Sequence, residues 1–370
     1  MKIAMIGHKR IPSREGGVEI VVGELSRRMA ALGHSVTAYN RKSEHIAGNE
    51  YEALNDWQGV KIKWVKTPDS SKLNAIVYSF FAALSASFKG FDVVHFHAEG
   101  PCSMIPLAKL TGKKCVATIH GLDWQRAKWG GFATRFLKFG EKTAAKRADA
   151  VIVLSKNVQD YFEKNYGRKT VFIPNGIDKP KMLEANIIRE KYGLEKDGYV
   201  LFLGRLVPEK GVHYLINAYK ELDTDKKLVI AGGASHTSEY ETELRALADD
   251  NVIFTGFVQG DELDELYSNA YIYCLPSDLE GMPISLLEAM SYGNACLTSD
   301  IPECTEVCGN NAVYFKKSSE ADLRDKLSML LADSETVGTL KNTAANYILE
   351  KFNWQDVTEK TLELYEGLLK

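Results

Sequence analysis

Short apolar runs alternate with longer amphipathic segments along the whole chain. The apolar runs are rich in Val, Ile and aromatic residues, which is typical of buried strands. Between the first two runs, Val18, Val22, Leu25 and Met29 recur with helical spacing. The predicted strands span residues 2–7, 34–40, 91–97, 114–120, 150–155, 170–176, 198–206, 227–233, 251–257, 271–277, 295–300 and 312–315.

Alternation of strands and helices builds parallel, doubly wound sheets, and these strands are too many for one ordinary sheet. We therefore predict an α/β protein with two Rossmann-like domains facing a central cleft. The predicted domains are residues 1–175 and 176–350, and residues 351–370 form a helix that packs back on the first domain. Because ligands of such sheets bind at the carboxyl ends of strands, we look for functional residues there.

Composition and charge narrow the class of protein. The chain is 45% hydrophobic and 26% charged, and it has no apolar run near the ~20 residues of a membrane span. Six scattered cysteines suit a reducing cytoplasm. The net charge of −3 conceals an asymmetry: residues 1–170 hold 27 Lys and Arg against 15 Asp and Glu, whereas the remainder is acidic. We expect the basic half to meet an anionic partner.

The segment SDLEGMPISLLEAM, residues 277–290, carries two glutamates eight positions apart. A buried strand precedes it, Pro283 suits the first position of a helix, and Gly293 suits the stop of that helix. The free N–H groups of a first helical turn bind anions. Glu280 in the loop and Glu288 in the helix flank that site, so we infer amides for phosphates and carboxylates for hydroxyl groups. A sugar nucleotide has both.

Two further loops follow predicted strands. GRLVPEKG, residues 204–211, places Arg205 and Lys210 across a turn, where two cations suit a diphosphate. GHKRIPSREGGVE, residues 7–19, holds Gly16 and Gly17 before a helix, which favours either close approach of a ligand to the backbone or a flexible turn. The loop 7–19 is neither a dinucleotide fingerprint nor a P-loop, which argues against a nicotinamide dehydrogenase and a P-loop NTPase.

Histidines stand at the ends of two predicted strands. His120 ends the strand in TIHG, and His95 and His97 share one face of the strand in VVHFH. No carboxylate motif accompanies the pair, so we interpret it as structural and expect no metal site. The acidic pair at Asp223 and Asp225 lies in a polar turn and is interpreted as surface.

Residues 123–147 interleave seven Lys and Arg with Trp and Phe side chains. This pattern is typical of contact with an anionic membrane surface, for which Arg126, Lys128, Arg135 and Lys138 are candidates. The alternative is an ordinary helix with a buried aromatic face. We favour the membrane because the whole first half is basic.

Taken in order, these motifs resemble those of the family-4 glycosyltransferases, which are retaining enzymes of the GT-B fold. The similar stretches are the Gly-Gly loop, DVVHFH, TIHG, PNGID, GRLVPEKG, a GF before a helix, and EGMPISLLE. The opening IGHKRIPSREGGVE also resembles a bacterial surface-polysaccharide subgroup that includes rhamnosyltransferase-like members.

The resemblance implies roles for individual residues. Catalytic roles fall to Glu280, His120, Arg205 and Lys210, and donor binding falls to Gly16, Gly17, Phe257, Val258, Gly281, Met282 and Glu288. Phe257 and Val258 would frame the base and His120 would face the sugar.

The implied function is transfer of a hexose, with retention and without metal or cofactor, from a nucleoside-diphosphate sugar to a glycan or lipid-linked acceptor. The expected setting is cytoplasmic, peripheral on the inner membrane face, and without nucleic acid as partner. Two alternatives stay open: a GT-B epimerase or phosphorylase, and a non-catalytic paralogue that only binds nucleotide sugar.

Overall fold

The computed structural model describes residues 1–43, 54–70, 73–125, 130–233 and 238–370. Within them the chain divides into two compact units. The first unit contains Met1–Gly176 and Trp354–Lys370, and the second contains Ile177–Asn353.

The first unit is a layered α/β structure. Its strands are β1 (Lys2–Ile6), β2 (Ser35–Lys42), β3 (Asp56–Trp57), β4 (Val60–Lys66), β5 (Val93–His97), β6 (Lys114–Ile119), β7 (Ala150–Val153) and β8 (Val171–Phe172). Its helices are α1 (Gly17–Ala31), α2 (Asn74–Ser87), α3 (Glu99–Cys102), α4 (Ile105–Leu110), α5 (Gly131–Arg147), α6 (Lys156–Tyr166) and, at the far end of the chain, α15 (Trp354–Leu369).

The strands of the first unit lie in the order β3-β4-β2-β1-β5-β6-β7-β8, and every pair is parallel except β3 with β4. The sheet grows in one direction from β1 to β2 and in the other from β1 to β5, so the ends of β1 and β5 mark the switch point where ligands bind in such sheets. The strands β3 and β4 were not predicted, because Lys61, Lys63 and Lys66 interrupt the apolar pattern of β4.

Helices cover both faces of this sheet. Tyr78 and Ala82 of α2, Ile105 of α4 and Ala144 of α5 join one core cluster, so these helices pack on the same face. Because β1–α1–β2 and the later crossovers run in opposite directions along the sheet, α1 covers the other face. The helix α15 packs against α1.

The second unit is a six-stranded, wholly parallel sheet in the order β11-β10-β9-β12-β13-β14. Its strands are β9 (Tyr199–Leu203), β10 (Lys227–Ala231), β11 (Val252–Gly256), β12 (Ile272–Leu275), β13 (Ala295–Ser299) and β14 (Val313–Phe315). Its helices are α7 (Ile187–Tyr192), α8 (Val212–Lys220), α9 (Ser238–Leu247), α10 (Asp261–Asn269), α11 (Ile284–Ser291), α12 (Pro302–Cys308), α13 (Glu320–Ala332) and α14 (Ser334–Lys351). The prediction of two Rossmann-like, doubly wound α/β units is confirmed.

Candidate functional site

In the second unit, the loops that follow β9 and β12 meet at the carboxyl edge of the sheet. The Nζ of Lys210 donates to Oε1 of Glu280 over 2.5 Å, and the Oγ of Ser277 donates to the same oxygen over 2.6 Å. The backbone N–H of Asp278 also donates to the carbonyl of Glu209, with a distance of 2.9 Å. Two residues that the sequence assigned to separate motifs therefore form one cluster.

Close backbone packing explains why the loop after β9 contains glycine at position 211. Gly211 has a φ of +65°, and a Cβ placed there would lie 2.1 Å from the carbonyl oxygen of Pro276. Any larger residue would push apart the two loops that carry Lys210 and Glu280. The glycine thus allows the ion pair to form.

The ion pair is nearly dry, since the side chains of Lys210 and Glu280 are 13% and 9% exposed. Each charge has lost most of its hydration and relies on its partner, so removing either one leaves the other poorly compensated. Arg205 lies in the same loop after β9 and is half-buried. The cluster therefore provides a positive edge beside a carboxylate, with the start of α11 close by in sequence.

The helix α11 begins at Ile284, one residue later than predicted. Pro283 has a ψ of 104° and precedes the helix as its N-cap, so its assignment to the first helical position was wrong. The end of the helix fits the prediction: Gly293 has a φ of +77°, and its N–H donates to the carbonyl of Met290 over 2.9 Å. Gly281 and Met282 are buried in the turn between Glu280 and the helix.

Glu288 is buried on α11, and the hydroxyl of Tyr267 donates to its Oε2 over 3.0 Å. The Tyr267 ring stacks on Tyr292 with their centroids 5.1 Å apart, so this hydroxyl is held in place. Sequence reasoning missed Tyr267 because its segment of α10 shows no motif. The hydrogen bond fixes the orientation of the carboxylate that we predicted to bind a ribose.

Burial raises the pKa of Tyr273 well above its usual value, and the carboxylates of Glu280 and Glu288 add to the effect. Tyr273 is thus a neutral hydrogen-bond donor beside both predicted carboxylates, and its hydroxyl donates to the Oγ of Ser285 over 2.9 Å.

The two residues assigned to the nucleotide base differ in exposure: the Phe257 side chain is exposed and that of Val258 is buried.

In the first unit, Gly16 is the N-cap of α1 and Gly17 is its first residue. The buried carboxylate of Glu19 folds back over this terminus: its Oε1 accepts from the N–H of Lys9 over 2.8 Å, and its Oε2 lies 2.4 Å from where a Gly16 Cβ would be. A phosphate that approached Gly16 would meet this carboxylate first and would have to displace it.

Three histidines lie on two neighbouring strands of the first sheet: His95 and His97 belong to β5, and His120 directly follows β6. The Nδ1 of His97 lies 3.1 Å from Nε2 of His120, whereas His95 is held by Tyr365 and Thr118 at 2.5 and 2.7 Å. Burial holds the pKa of His97 well below its usual value, so His97 is neutral. Sequence reasoning kept His97 apart from His120, because the pairing of β5 with β6 is not visible in either motif.

The aromatic side chains of segment 123–147 differ in exposure. Arg126 and Lys128 lie outside the described residues. Trp124 is half-buried, and its indole N–H donates to the buried Glu141 carboxylate over 2.8 Å. On the outward face of α5, however, Phe132 and Phe139 are 74% and 56% exposed.

Four further observations bear on the expected chemistry. Across the described ranges, no three His, Cys, Asp or Glu side chains are grouped to hold a metal ion. All six cysteines are buried free thiols. Asp223 and Asp225 are exposed, in agreement with the surface interpretation. In the part of the chain that the structure describes, no helix is both long and apolar enough to cross a membrane.

With this fold and these clusters established, comparison with known proteins defines the class as glycosyltransferase. A family model described as "Glycosyltransferase Family 4" matches residues 15–180, and one described as "Glycosyl transferases group 1" matches residues 184–347. Between them the two matches leave out only the ends of the chain and a short connection. The chain belongs to the family-4-like glycosyltransferases of the GT-B fold.

Individual relatives agree with this assignment. A GDP-mannose-dependent alpha-(1-6)-phosphatidylinositol monomannoside mannosyltransferase of Mycolicibacterium smegmatis is 26% identical, with 96% of each chain covered. Sucrose-phosphate synthase from Thermosynechococcus elongatus has a TM-score of 0.82 at 21% identity, with 99% of this chain and 98% of that chain covered. HepE of Anabaena, in complex with UDP and glucose, has a TM-score of 0.82 at 17% identity, with coverage of 99% and 100%. The two structures support the shared fold.

Proposed function

We propose that the chain transfers a hexose from a nucleoside-diphosphate sugar to a glycan or lipid-linked acceptor, with retention, in the synthesis of a surface polysaccharide. The observation that carries this proposal is the nearly dry cluster of Lys210, Glu280 and Ser277 at the carboxyl edge of the second sheet. It offers a cation for a phosphate and a carboxylate for a sugar hydroxyl, side by side.

The names of relatives support both halves of the reaction. The mycobacterial relative is GDP-mannose-dependent and acts on a phosphatidylinositol mannoside, and a Salmonella typhimurium relative, 29% identical over 57% of this chain, is an O-antigen chain mannosyltransferase. HepE holds UDP and glucose. We therefore assign UDP-, GDP- or dTDP-hexoses to the donor class, dTDP-rhamnose among them because of the rhamnosyltransferase-like opening.

In the proposed reaction, the bond between the anomeric carbon and the leaving phosphate oxygen breaks, and a bond from the acceptor oxygen forms on the same face. The acceptor proton passes to the leaving phosphate. Negative charge grows on that phosphate, so preorganised positive charge gives the largest help. Arg205 and Lys210 supply it, while Glu280 and the amides of Gly281 and Met282 hold the sugar.

The remaining roles follow the family resemblance. We assign Glu288 to the ribose hydroxyls, because Tyr267 already orients its carboxylate. We assign His120 to the sugar. Gly16 and Gly17 are assigned to the diphosphate, which requires the Glu19 carboxylate to move aside.

The direct test is a panel of nucleotide sugars. A donor present at 100 times its Kd should raise the stability of the protein by about 2.7 kcal/mol in a thermal-shift assay. The same donor should release nucleoside diphosphate faster when an acceptor fraction is added. Release of a 2-epimer would indicate an epimerase, whereas transfer to phosphate would indicate a phosphorylase. Binding without turnover of any donor would indicate a non-catalytic paralogue.

We also propose that no metal ion takes part. Turnover with the identified donor should persist in excess EDTA. Full loss of turnover in EDTA, with recovery on adding Mg²⁺ or Mn²⁺, would contradict this mechanism and leave the donor assignment intact.

We further propose that a cytoplasmic, lipid-linked acceptor is reached at the inner membrane face through α5. Each exposed Lys or Arg near an anionic surface contributes roughly 1 kcal/mol, which salt screens. Changing Arg135, Lys142 and Lys146 to Glu should therefore remove the salt-sensitive part of the binding to anionic vesicles, with nucleotide binding unchanged. Equal binding of this variant and the unmodified protein would remove α5 from the interface.

A further inference from the structure

Exposed apolar side chains concentrate on one helical layer of the first unit. Thirteen large apolar side chains are exposed in the described residues, and seven of them lie on α2, α4, α5 or the caps of these helices. The seven are Leu73, Phe80, Phe81, Phe88, Leu110, Phe132 and Phe139. Because α4 contacts both α2 and α5, and all three pack on the same sheet face, these side chains point away from the sheet together.

The helix α2 carries a continuous apolar stripe on its outer side. Positions 73, 77, 80, 81, 84 and 88 are Leu, Val, Phe, Phe, Leu and Phe, with the spacing of one helical face. The opposite side of α2 is the buried one, where Tyr78 and Ala82 enter the core. Phe88 is 79% exposed. Val77 and Leu84 are half-buried, but the four exposed members of the stripe still make this side far more apolar than the outer face of an ordinary surface helix.

The three helices of this layer expose cations and no carboxylate, and the exposed carboxylates near the ends of α2 are those of Asp69 and Asp92. Neither α2 nor α4 contains Asp or Glu, and the one carboxylate of α5, Glu141, is fully buried. Exposed cations border the same layer, namely Lys89 after α2 and Arg135, Lys138, Lys142, Lys146 and Arg147 on α5. The layer therefore presents aromatic and basic side chains to the solvent, with no exposed carboxylate on its three helices.

We propose that the α2 stripe, Leu73 to Phe88, inserts into the boundary between headgroups and acyl chains of an anionic bilayer. Phe side chains enter that boundary, and the cations of α5 and Lys89 bind the headgroups. A second copy of the chain is a poorer occupant, because a symmetric contact would bring two basic layers together. The proposal adds an apolar anchor to the electrostatic contact of α5. It rests on the proposed function only in that a lipid-linked acceptor would explain why the protein binds a membrane.

Vesicle sedimentation at two salt concentrations tests the anchor. The triple variant Phe80→Ser, Phe81→Ser, Phe88→Ser replaces three exposed members of the stripe. Because none of these side chains belongs to the core, the variant should fold normally. With vesicles of 30% phosphatidylglycerol in phosphatidylcholine, the unmodified protein should keep part of its binding at high salt, because apolar insertion is not screened. The variant should bind about tenfold more weakly at low salt and lose all binding at high salt.

A matched control removes three exposed apolar side chains outside the layer, through Met182→Ser, Met329→Ser and Leu369→Ser. This control should bind vesicles like the unmodified protein. Equal binding by the stripe variant and the control would overturn the proposal. So would a dimer in sedimentation velocity that only the stripe variant dissociates, with vesicle binding unaffected, because the stripe would then be a contact between copies.

Insertion itself is measured with a polarity-sensitive probe. All six native cysteines are buried, so an environment-sensitive nitrobenzoxadiazole label will react with an introduced surface thiol. The label on Phe81→Cys should brighten and shift to the blue with anionic vesicles, whereas the label on Met329→Cys should not change. No donor or acceptor is present in these measurements, so they can fail while the transferase activity stands.

Discussion

Replacing Lys210 by Met tests whether the ion pair with Glu280 serves catalysis or only the fold. The variant keeps the length of the side chain and removes its charge, leaving Glu280 with the Ser277 hydroxyl as a neutral partner. The two side chains are 13% and 9% exposed and lie 2.5 Å apart. Breaking a fully buried pair costs about 3–5 kcal/mol, so we expect this nearly buried pair to cost about 2–3 kcal/mol of unfolding free energy.

Lys210→Met should also lower the rate of turnover, independently of its effect on stability. Removing one preorganised donor from a developing oxyanion costs about a hundredfold or more in kcat, or roughly 2.7 kcal/mol. The double variant Lys210→Met, Glu280→Gln removes both charges, so it should recover most of the lost stability but none of the lost turnover. Denaturant unfolding and release of nucleoside diphosphate measure the two effects on the same samples.

Lys341→Met is the matched control, because Lys341 pairs with Asp197 in the same unit and away from the cluster. It should leave turnover unchanged. If Lys210→Met turns over at the normal rate, Lys210 does not contact the leaving phosphate. If the double variant is as active as Glu280→Gln alone, Lys210 acts only by neutralising its neighbour.

Three further predictions follow from local features. Gly211 and Gly193 have the same φ of +65°, but only a Cβ at position 211 meets a backbone atom. In urea unfolding, Gly211→Ala should therefore lower the free energy of unfolding by about 3 kcal/mol or more, and Gly193→Ala by about 1 kcal/mol. Similar losses would show that the packing at 211 relaxes freely. Burial lowers the pKa of His8 to about 4 and that of His95 to about 3, so below pH 6.5 the unfolded chain binds more protons than the folded one. Stability should fall by about 2 kcal/mol for each of them between pH 6.5 and 5, and a flat thermal profile would contradict this. Tyr267→Phe removes the hydroxyl that orients the Glu288 carboxylate, which we propose to bind the ribose, so the donor KM should rise about tenfold with kcat nearly unchanged. A fall in kcat alone would argue against that role.

The fold was largely predictable because nearly every strand is a short, uninterrupted apolar run. The strand β4 was not predicted because it lies near one edge of its sheet, where Lys side chains reach water and interrupt the apolar run. Pro283 illustrates a smaller error: the sequence alone allows a proline at the first helical position or just before it, and the extended ψ of 104° shows that it precedes the helix. Local composition specifies elements well and their ends poorly.

The residues of the candidate site could be named from the sequence, but their arrangement could not. Lys210 and Glu280 each stood out beside a strand end, yet their contact spans 70 positions and depends on the order of β9 and β12 in the sheet. His97 was set aside because its partner His120 belongs to another strand. Tyr267 carried no signal, because a tyrosine in an amphipathic helix is usually core. Such pairings arise from topology, which a single sequence encodes only through the whole fold.

The position of α15 has a consequence for how the protein is made. Tyr365 on this helix reaches His95 in the first sheet, a contact between residues 270 positions apart. The second unit is a continuous stretch, Ile177–Asn353, and can complete its own sheet as it leaves the ribosome. The first unit is synthesised earlier but lacks its last helix until residues 354–369 emerge. Of the two units, the one whose sheet is synthesised first therefore completes its fold only after the other has been made.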